Sequence, residues 1–330
     1  MVAPPAEWSP HAAVWLAWPS HRELWEHNLE PVQAEFRELC RALIDGGETV
    51  RVLVRTDEDA RRCAEALGAA ATLHSCPYGD IWLRDTGPIF ARAEGGLAAH
   101  RFRFNGWGEK YRLEGDQSVA PFLAETAGAR RIDHLFVLEG GAVEFDGEGT
   151  LLTTRSCLLN PNRGPVGSES EATDRLTRAL AVERVLWLES GLVNDHTDGH
   201  IDTLARFTAP GVVVCMEPNG PDDPNRAVLE MIAFELAAFT DARGRSLAVH
   251  TVPSPGRIET DGVVLPASYV NFFIANSAVV VPTYGVDADA EALSRLAELF
   301  PGRAVVGCSA RTLLEGGGAL HCITQQQPET

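Results

Sequence analysis

The sequence predicts an α/β fold built from five repeated strand–helix–strand units, arranged as a propeller. Two observations carry this reading. Apolar, β-branched runs alternate with amphipathic helical stretches along the whole chain. The helix starts, near Asp57, Asp116, Glu169, Pro224 and Asp287, recur at a nearly even spacing. A doubly wound sheet also has strands alternating with helices and is the main competitor. Identity between the units is low, so element order and spacing carry the choice.

Each unit opens with a strand-like run, at residues 50–55, 98–104, 150–155, 211–216 and 278–284. Their Val, Ile, Thr and aromatic content suits a pleated sheet. A helix follows each run. Several open on acidic residues or Pro, which suit the positive end of the helix dipole. A second apolar run closes each unit, at residues 71–76, 134–138, 184–188, 247–252 and 304–308. The whole chain, residues 1–330, reads as one catalytic domain of this kind.

Composition limits the function. The chain has 330 residues, 45% hydrophobic and 22% charged, which fits a folded globular protein. Lys and Arg total 28 against 46 Asp and Glu, a formal net charge of −18. That balance disfavours nucleic acid, whose phosphates need clustered Lys and Arg. It suits a cationic ligand better. No run is long and apolar enough for a membrane span, and residues 1–8 lack a basic and an apolar signal region. Seven scattered cysteines, with no CxxC, argue against a disulfide framework and a zinc ribbon. A cytoplasmic protein with free thiols is the expectation.

Each second run leads into a polar motif. These are DIWLRDTGP at 80–88, EGG at 139–141, DGHID at 198–202, YVNF at 269–272 and EGGGALHCITQQQ at 315–327. Radially placed units would bring all five motifs to one axis and one pocket. Cys322, expected on a strand after a Gly triplet that permits close backbone approach, is the candidate nucleophile. A buried structural Cys is the bland alternative, and the other six cysteines keep it. His200 suits acid–base work near neutral pH. Strand alternation would put it on the same face as Asp202. Glu139 could orient His200 as the third member of a triad does.

Asp85 and Asp202 could grip a planar cation such as a guanidinium, with Trp82 over its flat face. Core packing for Trp82 and a turn cap for Asp85 are the competing readings. His196 and His200, with Asp195, Asp198 and Asp202, imitate a metal cluster. Gly199 and the strand-like sequence after it argue against one helix presenting both histidines. No metal site is therefore expected.

At these residues the chain resembles the agmatine deiminases of the guanidine-modifying, pentein-fold superfamily. PAEW at 5–8, VWLAWP at 14–19, FNGWG at 104–108, DGEGT at 146–150 and HCITQQQP at 321–328 extend the resemblance over nearly the whole chain. The resemblance implies a five-bladed α/β propeller and no cofactor. It implies Cys322 as nucleophile, His200 as acid and base, and Glu139 as its partner. Asp85 and Asp202 would hold the guanidinium, with Trp82 and Asn271 lining the pocket. In some family members the residue corresponding to His196 is acidic and lies near the substrate's amine. Here Asp195 or Asp198 would supply that charge.

The implied activity is hydrolysis of agmatine to N-carbamoylputrescine and ammonia through a covalent thiouronium, in a cytoplasmic dimer or larger homo-oligomer. Deimination of free or peptidyl arginine is the nearest alternative. A metal-dependent amidohydrolase and a non-catalytic amine-binding module stand further off.

Overall fold

The computed structural model describes residues 3–330. Its strands form five principal sheets of three or four strands. The second sheet joins Ile89–Ala93, Gly96–Arg103 and Arg130–Val137. The third joins Glu144–Phe145, Thr150–Thr154 and Arg184–Leu188. The fourth joins Ala205–Ala209, Val212–Glu217 and Ala248–Pro253. The fifth joins Phe273–Ile274, Ala278–Thr283 and Ala304–Ser309.

All four follow one plan. A short strand pairs antiparallel with the next, and a helix then crosses over to a parallel third. The first sheet is larger. It holds His11–Ala17, Val50–Val54 and Ala71–Ser75 in parallel, with Gln325–Pro328 antiparallel on the outer side of His11–Ala17. Both ends of the chain therefore share one sheet, with His11 opposite Pro328.

Local sequence explains the crossover helices. In Asp57–Leu67, Thr56 caps the start by accepting from the Asp59 amide, and the first turn carries Asp57, Glu58 and Asp59. In Glu169–Leu180, Ser168 accepts from the Glu171 amide in the same way. The expected helices near Pro224 and Asp287 run over Arg226–Ala238 and Ala288–Leu299. The central parallel strands are buried, as in Ala278–Thr283, which suits their nearly continuous apolar sequences.

Two differences from the sequence reading have physical causes. The first strand of each hairpin was not anticipated, because several are too short to show a period of two. Glu144–Phe145 and Phe273–Ile274 have two residues each. The strand expected at 134–138 begins earlier, at Arg130. Its opening is an exposed sheet edge where Arg131 pairs with Asp133, so it reads as polar.

Each polar motif lies between a sheet's last parallel strand and the first strand of the next principal sheet, and the last motif runs from beyond the fifth sheet into Gln325–Pro328. The packing beneath is dominated by large buried side chains such as Trp15, Phe36, Leu39, Phe207 and Phe272.

Candidate active site

Cys322 lies in a turn after Leu320, before Gln325–Pro328, and not on a strand as its sequence suggested. His200 and Asp202 likewise sit in a loop, with Asp202 in the single 3-10 turn Ile201–Thr203. They still face one centre. The cause is the loop's own path, not strand alternation. Asp85 lies on the short helix Leu83–Thr86, and Glu139 begins the tight turn Gly140–Ala142.

Gly141 marks the centre of this group. A Cβ there would lie 2.6 Å from His200 Nδ1, 2.9 Å from Asp85 Oδ1 and 3.2 Å from Asp202 Oδ2. Only a glycine lets the imidazole and both carboxylates approach so closely. The Asp85 carboxylate accepts from the Gly141 amide (2.9 Å) and from Trp107 Nε1 (2.8 Å). His200 Nδ1 lies 3.7 Å from Asp85 Oδ1. Cys322 Sγ lies 3.7 Å from Asp202 Oδ2. Asn271 Nδ2 donates to that sulfur at 3.3 Å and also reaches the Asp202 carbonyl. All five residues are buried.

The electrostatics are unusual for a nucleophile at rest. Burial pushes the Cys322 thiol well up, and the Asp202 and Asp85 carboxylates push it further. Burial would lower His200, but Asp85, the Cys157 sulfur and Glu139 together hold it well above the ordinary imidazole value. The free site thus favours a thiol facing an imidazolium. A cation placed between Asp85 and Asp202 would offset both carboxylates and ease loss of the thiol proton.

Glu139 is fully buried, and burial pushes its carboxyl up against the pull of Arg163 and His200. Its Oε1 accepts from Arg163 Nε at 2.9 Å, so its direct partner is an arginine that sequence reading did not single out. Glu139, Cys157 and His200 offer ligand atoms within 4.8 Å of one another. A metal ion there would compete with the Arg163 guanidinium for the Glu139 charge, which disfavours it. The cluster suspected from sequence is not assembled. His196 is exposed while His200 is buried.

A cavity of about 270 Å³ leads from this centre outward. Trp25, Trp82, Trp107, Tyr111, His196 and Glu315 form much of its wall. Trp82 faces it as expected, with its Nε1 donating to Asp80. Asn271 sits at the inner end beside Cys322. Asp198 is drawn away by an ion pair with Lys110 (2.6 Å) and another with Arg163. Asp195 accepts from the Thr197 amide and hydroxyl and lines a small inner cavity.

Comparison with known proteins places the chain. Residues 3–328 match the family model described as Porphyromonas-type peptidyl-arginine deiminase. The chain belongs to this family. It is 38% identical to the agmatine deiminases of Stutzerimonas stutzeri and of Pseudomonas aeruginosa strain LESB58, each match covering 98% of this chain and 95% of the relative. Among solved structures it resembles the Enterococcus faecalis agmatine deiminase at 32% identity and a TM-score of 0.94, covering 99% of this chain and 96% of that one. A substrate-bound C-to-S variant of the C. jejuni agmatine deiminase matches at 28% identity and a TM-score of 0.91, covering 99% and 96%. An amidinotransferase from Microseira wollei, at 13% identity and a TM-score of 0.54, shares the fold alone.

In this deiminase-family chain, a buried relay behind Asp202 was not anticipated. His321 Nδ1 lies 2.7 Å from Asp202 Oδ2, and His321 Nε2 lies 2.8 Å from Glu7 Oε2. Glu7 in turn pairs with Arg206 (3.0 Å) and Arg84 (3.4 Å). Burial would raise Asp202, yet its hydrogen bond with His321 leaves it below the usual carboxylate range. Burial acts the same way on Glu7, and there Arg206 and His321 prevail. The anionic Asp202 is thus stabilised from behind and free to face a cation. Glu7 and His321 fall inside PAEW and HCITQQQP, but no spacing rule assigns either a task. The two lie 314 residues apart in sequence.

Proposed function

We propose that this chain is an agmatine deiminase, hydrolysing agmatine to N-carbamoylputrescine and ammonia. The observation that carries the reading is the gathering of His200, Asp85 and Asp202 around Gly141, with Cys322 Sγ 3.7 Å from Asp202, at the end of an aromatic cavity. The agmatine deiminases that match over the whole chain support the same substrate.

Asp85 and Asp202 bind the guanidinium by charge-assisted hydrogen bonds and hold its carbon against Cys322. The bound cation offsets both carboxylates, and the Cys322 thiol gives up its proton to water. The sulfur attacks the guanidinium carbon. His200 protonates one amino group of the tetrahedral adduct, ammonia leaves, and a covalent thiouronium remains. His200, now neutral, takes a proton from water. The hydroxide adds to the same carbon, and collapse of the adduct expels the sulfur, which takes the hydroxyl proton to restore the thiol and leave a urea. Guanidinium resonance makes the carbon a poor electrophile, so the covalent step must carry much of the rate. Glu139, held by Arg163, helps keep His200 cationic between turnovers.

Five sheets of like strand order, the first closed by both chain ends, support a ring of five blades around this site, formed by the chain as one domain. The motif loops would then converge on the axis. A cavity of about 270 Å³ favours a small free guanidine over a peptide. A rate comparison over agmatine, arginine, peptidyl arginine and methylguanidine tests the reading. Agmatine should give the highest kcat/KM. A clear preference for peptidyl arginine, or no ammonia from any of the four, would overturn it.

A further inference from the structure

The pocket mouth holds a carboxylate, at the head of the motif 315–327, to which neither the sequence reading nor the reacting centre gives a task. We propose that Glu315 reads the distal cation of the substrate and so sets selectivity for an amine-tailed guanidine. This inference rests on the guanidine-hydrolysing reading above.

Neither acid flanking His196 lines the outer cavity. Asp198 is ion-paired with Lys110 and Arg163. Asp195 binds Thr197 and faces the inner cavity beside His200 and Cys322, at the reacting end. His196 itself stacks on Tyr111, with ring centroids 5.9 Å apart. Asp80 also lines the cavity, but both its oxygens are occupied by the indole N–H groups of Trp25 (3.0 Å) and Trp82 (2.9 Å). Burial pushes its carboxyl up to about 6. Asp80 braces the aromatic wall.

Glu315 differs in exposure and position. It ends the short helix Arg311–Glu315, is exposed and lines the cavity. The glycines after it run inward along the wall. A Cβ at Gly317 would lie 3.3 Å from His196 Nδ1. One at Gly318 would lie 2.6 Å from the Trp82 ring and 3.2 Å from Cys322 Sγ. Glu315 therefore stands at the outer end of a strip whose inner end touches the nucleophile.

Its carboxylate is fixed but not neutralised. Asn28 Nδ2 donates to Oε2 at 2.8 Å, and the Thr260 hydroxyl donates to Oε1 at 3.1 Å. Both donors are uncharged, and among the described residues no cation pairs with it. An oriented anion at the end of an aromatic channel fits an ammonium on a methylene chain. It would repel a substrate carboxylate at the same place.

The test compares agmatine with pentylguanidine, in which a methyl replaces the amine, using the wild type, Glu315→Gln and Asp195→Asn. The readout is the ratio of kcat/KM for the two compounds, with pentylguanidine turnover reporting that each variant is folded. Glu315→Gln should lower the ratio roughly five- to thirtyfold, chiefly through KM for agmatine. It should also narrow the gap between agmatine and arginine. A ratio unchanged in Glu315→Gln overturns the inference, as does a ratio that falls only in Asp195→Asn. Failure of the wild type to release ammonia from either compound would instead defeat the deiminase reading itself.

Discussion

At the inner end of the pocket, Asp85, Asp202, His200 and Cys322 are buried, and second partners hold several of them in place. Asp202 has His321, Glu7 and Arg206 behind it, and Asp85 is held by Gly141 and Trp107. At the mouth, His196 and Glu315 are exposed and make few contacts. Removing a buried charge that is paired leaves its partner uncompensated. Changing an exposed one costs little stability. The inner end is therefore constrained by folding as well as by chemistry. The mouth can change substrate preference without disturbing the fold.

The sharpest way to separate the two ends is to remove the chemistry outright. Cys322→Ala should abolish ammonia release, by roughly a thousandfold or more, while agmatine binding measured by calorimetry persists. Near wild-type turnover in that variant would defeat the covalent mechanism. His200→Ala should fall as steeply, because the acid and the base are lost together.

Neutralising the inner carboxylates comes next. Asp85→Asn and Asp202→Asn should each reduce kcat/KM about tenfold to a few hundredfold for every guanidine, whatever its tail. This is the opposite signature to Glu315→Gln, whose effect depends on the tail. If Asp202→Asn proved selective for agmatine over pentylguanidine, the division into a reacting end and a reading end would fail.

The smallest effect concerns protons. In free enzyme the Cys322 thiol and His200 are both raised, so protonated forms of both persist at neutral pH. Activity needs the thiol deprotonated and His200 protonated. The acid limb of kcat/KM should therefore follow the thiol or the imidazole upward in pH. Activity should still be rising on passing 6.5, the ordinary imidazole value. A profile that levels off there would mean that Asp85 and Glu139 do not hold His200 cationic. Alkylation adds a finer check. A cationic haloacetamidine should inactivate at lower pH than neutral iodoacetamide, and Asp85→Asn should shrink the difference.

Legibility followed the same division. Cys322, His200, Asp85 and Glu139 stood out because each lies in a polar motif after an apolar run. The structure brings them together. Their local conformations were misread, since a turn of three residues leaves no periodic trace. His321, Glu7 and Arg206 were not given roles. Nothing local distinguishes a relay histidine from a core one when its partner comes from the other end of the chain. Arg163 escaped for the same reason, being a lone basic residue in a loop that happens to meet Glu139.

The sequence by itself determined the parallel strands, the crossover helices between them and the order in which polar motifs follow them, because hydrophobic period and helix capping are local properties. Its net charge also suited a cationic ligand better than nucleic acid. Only the tertiary structure decided which acids remain available. Asp198 and Glu315 look equivalent in sequence, but Lys110 and Arg163 pair with the first and only neutral donors reach the second. Pairing depends on distance in space, and here the partners of Glu315 come from 287 and 55 residues away.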